Sequence, residues 1–200
     1  FQPILDWSLQ IQSSRIIPFG SVHPADPDRA AHIKQVKNAG LKGIKIHPYY
    51  QDFFLDDDSM MEYYEQVCKN DLLLIVHTGF DIAFEFIRRA DPARILKVVQ
   101  KFPDLKLITT HFGAWQQWDE VANQIAGKNI YFEISFALDY LQSAEAKKLI
   151  EAHPADYVLF GSDSPWRKQD ETIELLKSLN LEPARMEKIL YSNAKRLLRI

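Results

Sequence analysis

Three apolar runs in this sequence stop at a side chain that can hold a cation or move a proton. Leu72–Val76 leads into His77-Thr78-Gly79, Leu107–Thr110 into His111-Phe112-Gly113, and Val158–Gly161 into Ser162-Asp163-Ser164-Pro165. Burying the end of such a run is costly unless the imidazole or carboxylate finds a partner. A cation shared by two imidazoles and a carboxylate is one such partner. That donor set suits zinc or another divalent metal that accepts nitrogen and oxygen ligands. Each group alone has a plainer reading, as a hydrogen-bonded strand-end histidine or an aspartate capping the next helix. The three in one chain favour the cation.

A fourth run, Gly43–Ile46, ends at His47. Strand alternation puts Lys45 on the same face as His47. His47 is expected to contact substrate, and Lys45 to serve as a charge partner deeper in the same cavity. Trp166 and Arg167 follow the Asp163 turn and are expected to line the pocket, with Arg167 suited to a substrate carboxylate. His23 holds a comparable strand-end place. His32 and His153 fall in helical stretches and receive no role.

The elements that must position these groups are legible. Six β-like runs, Arg15–Phe19, Gly43–His47, Leu72–His77, Leu105–Thr110, Ile130–Phe136 and Tyr157–Gly161, alternate with helical stretches. Asp26-Pro27 and Asp91-Pro92 each predict an N-cap followed by proline at the first helical position, and Gly40 predicts a helix stop. Met60, Met61, Tyr64 and Val67 predict one buried helix face, and Trp115 and Trp118 predict another helix. Strict alternation argues for a parallel sheet covered by helices. A titratable group at nearly every strand end favours a (β/α)₈ TIM barrel over a doubly wound sheet, which would carry a glycine-rich phosphate loop.

His77-Thr78-Gly79, Thr110-His111-Phe112-Gly113 and Phe160-Gly161-Ser162-Asp163-Ser164-Pro165 resemble the fifth, sixth and eighth strands of the amidohydrolase superfamily. Gly40–Pro48 resembles the fourth strand of its amidohydrolase-related branch, and Lys188–Leu198 its closing helix. The resemblance implies that His77 is a metal ligand. It implies that His111 binds a second metal or handles a proton, and that Asp163 touches the metal and acts as general acid and base. Some superfamily members carboxylate a fourth-strand lysine to bridge two metals, which makes Lys45 a further candidate. The chemistry is coherent: a divalent cation brings its water toward neutral pKa, and a neighbouring carboxylate takes the proton.

The branch also carries a His-x-His on its first strand, and this sequence holds no such tripeptide. Counting back from the fourth strand makes Arg15–Phe19 the third, so the expectation is one incomplete barrel domain over residues 1–200, strands 3 to 8, with about 50–60 residues upstream. Phe1 has no signal-peptide character.

The implied function is a metal-dependent hydrolase acting on an amide, ester or lactone of a small molecule. The alternative is a metal-dependent decarboxylase of an unsaturated or aromatic acid, and a third reading is a non-catalytic barrel fragment. The chain of 200 residues is 46% hydrophobic with a formal charge of −3 and no basic cluster, which points away from nucleic acid and membrane partners. A single cysteine, Cys68, rules out an intrachain disulfide and suits the cytoplasm. A homo-oligomer is compatible with this composition.

Overall fold

The computed structural model describes residues 1–200. One sheet holds five strands in chain order: β1 (Gly43–Ile46), β2 (Leu73–Val76), β3 (Lys106–Thr109), β4 (Tyr131–Glu133) and β5 (Val158–Leu159). All four pairings are parallel, so each connection crosses over with a helix. These are α3 (Ser59–Lys69), α4 (Pro92–Lys101), α5 (Trp118–Gln124) and α6 (Ser143–Ala152). Before β1 lie α1 (Gln2–Ile11) and α2 (Arg29–Asn38). After β5 come α7 (Gln169–Ser178), α8 (Pro183–Glu187), a π-helical turn at Lys188–Ser192, and α9 (Asn193–Leu198). Parallel strands that never reverse order form an arc of a barrel; a doubly wound sheet would show a switch point.

The first expected strand does not form. Arg15–Phe19 is irregular, and only Gly20 bridges to Ile44. Pro18 sits inside the run and has no amide to give a ladder, a signal that overrides the apolar pattern around it. The backbone still meets β1 once: Gly20 N–H donates to Gly43 O and Lys45 N–H to Gly20 O, both at 2.9 Å.

Helix ends divide likewise. Asp91 caps α4 as expected, accepting from the amides of Ala93 and Arg94 at 3.1 and 3.3 Å. Asp26 does not cap α2, which starts after Asp28. It accepts from the Asp28 amide at 2.9 Å and pairs with His32 Nδ1 at 2.7 Å. Helix α3 buries Met60, Tyr63, Tyr64 and Val67 and leaves Met61 partly covered. Trp115 shares no helix with Trp118; it lies in the loop before α5 and bridges to Gly79.

Alternation gives the sheet two unlike faces. Ile44, Ile46, Leu74, Val76, Leu107, Phe132 and Val158 join the main core beneath the helices. Leu73, Ile108 and Leu159 point the other way, into a small separate cluster closed by Ile75, Tyr131 and the α9 residues Ala194, Leu197 and Leu198. Register puts Lys45 beside Ile75, and Glu133 beside Leu159, on this inner face. No helix is long and apolar enough to cross a membrane.

Candidate active site

Three histidines meet at the ends of three neighbouring strands. Ile46 pairs with Val76 and Val76 with Thr109, so His47 and His77 leave the sheet side by side, while His111 comes one residue later than this register and meets them at left-handed φ +55°. The His47 and His77 rings stack, with centroids 4.1 Å apart at 17°, and His77 meets His111 edge-on at 4.8 Å. The turn after His77 then brings in a carboxylate. Gly79 holds φ +86° against the loop of Trp115, where a Cβ would lie 1.9 Å from Trp115 N, so only glycine fits. The chain turns and returns Asp81, whose Oδ2 lies 3.2 Å from His47 Nε2 and 3.8 Å from His77 Nε2. Asp81 Oδ1 is occupied by the Ala83 amide at 2.8 Å. One ligand atom from each of His47, His77 and Asp81 lies within 4.8 Å of the other two.

The hydrogen bonds of this cluster are one proton short. His77 Nε2 lies 3.1 Å from the Phe80 carbonyl, His77 Nδ1 lies 3.1 Å from His111 Nε2, and His111 Nδ1 lies 3.0 Å from the Ser135 carbonyl. Both ends are carbonyl oxygens, which only accept, and two neutral imidazoles carry two N–H groups for three contacts. The Ser135 hydroxyl lies closer to Glu133 Oε2, at 2.7 Å, than to His111 Nδ1, at 3.4 Å. A third proton on the rings is opposed by burial, which drives His77 down to about 2, with the neighbouring His111 and His47 adding to the effect. Burial also lowers His111, and takes His47 to about 4 against the pull of Asp81. Neutral imidazoles beside a carboxylate, with one ring nitrogen in surplus, are the donor chemistry of a divalent metal site. The residues fit a metal.

Below the histidines sit two charges the sheet half-buries. Glu133 accepts from the Ser135 amide and hydroxyl, both at 2.7 Å, yet burial still raises it to about 7. Its carboxylate occupies the space over Gly161, where a Cβ would meet Oε1 at 1.5 Å. Burial lowers Lys45, and the charges of Glu133 and Asp163 hold it up. Asp163 itself is exposed, at φ +57°, and its charge also acts on His111. It lies outside the His47–His77–Asp81 group.

The amidohydrolase family model matches residues 5–200 of the sequence. The chain belongs to this family. Comparison with curated proteins gave no match. Among solved structures, an uncharacterized TIM-barrel protein of Bordetella bronchiseptica is 24% identical with a TM-score of 0.79, the match covering 99% of this chain and 71% of that one. A dihydroxybenzoic acid decarboxylase of Polaromonas with bound manganese and the inhibitor 2-nitroresorcinol is 17% identical, TM-score 0.75, over 99% of this chain and 74% of that one. A probable 2-pyrone-4,6-dicarboxylic acid hydrolase of Acinetobacter baumannii is 12% identical, TM-score 0.72, over 100% and 78%. At these identities the likeness concerns the fold.

Part of the chain's left-handed backbone lies at the same rim. His111, Phe112, Phe136 and Asp163 all hold left-handed φ between 55° and 60°, a conformation that costs about 1–3 kcal/mol per bulky residue and clusters at functional sites. Aromatic side chains wall the cluster. Tyr49, Tyr50 and Phe84 surround His47 and His77 on one side. On the other, Trp115 packs against His111, Phe136 and Tyr140.

Of the residues singled out in the sequence, the structure gathers His47, His77 and His111, with Lys45 beneath them. Trp166 is 76% exposed. Arg167 is paired with Asp139, Nε to Oδ2 at 3.0 Å, and with Glu171 at 3.2 Å, so its guanidinium is already committed. His23 is exposed, accepting from the Ala25 amide through Nδ1. Sequence reading finds Ser135 only as a strand-end residue without a role, and misses Asp81 and Glu133. For Asp81 the one available signal was a carboxylate four residues past a strand-end histidine.

Proposed function

We propose that this chain carries the active site of a metal-dependent enzyme acting on a small, flat, unsaturated or aromatic carboxylic acid. The observation behind this reading is the His77–His111 pair held between two carbonyl acceptors, one N–H short, beside carboxylates and under aromatic walls. The sequence resemblance assigns the metal to His77, His111 and Asp163, with zinc expected; the manganese in the Polaromonas decarboxylase makes manganese an equal candidate. When bound, such an ion polarises a carbonyl or carboxyl oxygen and acidifies water.

The chain's own residues supply the rest. Tyr49, Phe84 and Trp115 would hold a ring flat over the histidines and exclude water from it. His111, with Nδ1–H given to Ser135 O, presents Nε2 to His77 Nδ1 and so orients that ring. Asp163 is free of a fixed partner and is the candidate to take and return a proton at the mouth. Lys45 and Trp166 are candidate substrate contacts. Arg167 could join them only by giving up Asp139.

Hydrolysis adds water across a lactone or ester C–O bond. Decarboxylation breaks C–COO⁻ as a proton goes to the ring carbon. The aromatic walls suit a dihydroxybenzoate ring and a pyrone ring alike, and solved relatives of both types share this fold. The intact protein, loaded with Mn²⁺ or Zn²⁺, should be offered hydroxybenzoates and pyrone dicarboxylates, with ¹³CO₂ release and ring-opened product measured in parallel. CO₂ release that EDTA abolishes supports the decarboxylase, and ring opening without CO₂ supports the hydrolase. Turnover untouched by exhaustive chelation would sink the metal-dependent reading.

A further inference from the structure

We infer that Glu133 is a positioning residue for His111, acting through Ser135 to fix which nitrogen of the imidazole carries hydrogen. The inference rests on the metal-dependent reading above and concerns how the chain prepares His111 for it, whichever atoms hold the ion.

The contacts run unbroken from β4 to the ring. Both carboxylate oxygens of Glu133 go to one residue: the Ser135 amide donates to Oε1 and the Ser135 Oγ lies against Oε2, both at 2.7 Å. This short closure fixes the orientation of Ser135 just past the end of β4, and the Ser135 carbonyl stands 3.0 Å from His111 Nδ1. A carbonyl only accepts, so in the neutral ring that nitrogen must carry the hydrogen. His111 Nε2, which faces His77 at 3.1 Å, is then left with its lone pair. Glu133 also holds the backbone of the same site. Its carbonyl oxygen accepts the Phe112 N–H at 2.8 Å, where both His111 and Phe112 keep left-handed φ. Such backbone persists only where its surroundings over-determine it.

The carboxylate is accommodated for this task. Lys45 acts on it through its field, without a hydrogen bond. The neighbouring segment makes room: a Cβ at Gly161 would stand 1.5 Å from Oε1 and 2.3 Å from the carboxyl carbon. Enclosing a carboxylate is costly unless its hydrogen bonds are made, and here they are made to the residue that aims His111. The plainer alternative is that Glu133 only ties off the end of β4, in which case His111 would keep its hydrogen position without it.

Three variants separate these. Glu133→Gln preserves both contacts, its carbonyl oxygen accepting from the Ser135 amide and its NH₂ donating to Ser135 Oγ. Glu133→Leu removes both at similar size. Gly161→Ala leaves Glu133 in the chain and takes away its space. Long-range ¹H–¹⁵N spectra of the histidine rings, recorded on the intact metal-free protein, read the hydrogen position without turnover. Wild type and Glu133→Gln should show His111 as the Nδ1–H form, and Glu133→Leu and Gly161→Ala should show it mixed or moved to Nε2–H. In Mn²⁺-loaded enzyme given a hydroxybenzoate or a pyrone dicarboxylate, kcat should follow: about 10- to 100-fold lower in Glu133→Leu, close to wild type in Glu133→Gln, with KM little changed in both. Should Glu133→Leu fail to fold by circular dichroism and melting, Gly161→Ala carries the comparison. An Nδ1–H form that survives both Glu133→Leu and Gly161→Ala makes Glu133 a strand-end tie and overturns the inference. So does a Glu133→Gln variant that loses turnover as fully as Glu133→Leu with unchanged ring spectra, because charge and not placement would then matter. Turnover that survives chelation would remove the metal-dependent reading, while the ring spectra of the metal-free protein still decide this inference.

Discussion

The two faces of the sheet are made by the same five strands and have little else in common. Outward, Ile44, Leu74, Leu107, Phe132 and Val158 meet helices, and their cluster is continuous and fully buried. Inward, only Leu73, Ile108 and Leu159 are buried together, and the rows above them end in Lys45, Glu133 and the three histidines. The outer face gains apolar burial at about 25 cal/mol per Å². The inner face gives much of that up by holding charges that desolvation penalises. Stability thus resides on one side of each strand and chemistry on the other, and substitutions a single residue apart should have opposite consequences.

The largest effects come from testing that division directly. Phe132, fully buried and stacked on His153 at 3.8 Å, should cost about 3–5 kcal/mol as Phe132→Ala, read by urea denaturation. A cost under ~1 kcal/mol would mean the outer face is not the main store of stability. Next, Asp163→Asn should lower kcat by about 10²- to 10⁴-fold and stability by only about 1 kcal/mol. Near-normal turnover in metal-loaded Asp163→Asn would remove Asp163 from proton transfer.

A smaller effect is expected from the inner charges. The double variant Lys45→Met/Glu133→Gln replaces both with groups of similar volume, and such replacements are often neutral or stabilising by about 1–4 kcal/mol. It should melt at or above the wild-type temperature while losing turnover. Clear destabilisation of the double variant would show that these charges hold the barrel together.

The pH dependence is smaller still, and its sign follows from opposed groups. His47, His77 and His153 fall from 6.5 to about 4, about 2 and about 4. Above pH 6.5 both folded and unfolded chains leave them neutral. Below it the unfolded chain takes protons that the native state refuses, so stability drops as pH falls. Glu133, raised from 4.5 to about 7, works the other way: between those values the native state keeps a proton the unfolded chain loses. With several histidines against one glutamate, the melting temperature should decline from pH 7 to pH 5. His153 lies outside the site, its ring donating from Nε2 to Ile130 O at 2.8 Å and accepting from the Gly127 amide at 3.2 Å. His153→Gln should therefore flatten the slope without changing turnover. An unchanged slope would show that its titration is not coupled to folding.

The sequence by itself determined the alternation of strand and helix, the places where apolar runs stop at His47, His77, His111 and Asp163, and the Asp91 cap. These depend on periodicity and on hydrogen bonds a few residues long, so neighbouring residues suffice to specify them. It misjudged Arg15–Phe19 because an apolar pattern was weighed above Pro18, and α2 because Asp26 found His32 instead of the helix amides. Asp81 and Glu133 were out of reach for a different reason. Glu133 reads as an ordinary strand residue until Gly161, just past the next strand, leaves room for its carboxylate. Asp81 reads as a loop aspartate until the Gly79 turn, locked against Trp115, swings it back onto His47, 34 residues away in sequence. Which nitrogen of His111 carries hydrogen depends on Ser135 and Glu133 together. Those contacts exist only once strand register and one tight turn have brought distant segments within hydrogen-bonding distance, and only the tertiary structure decides that.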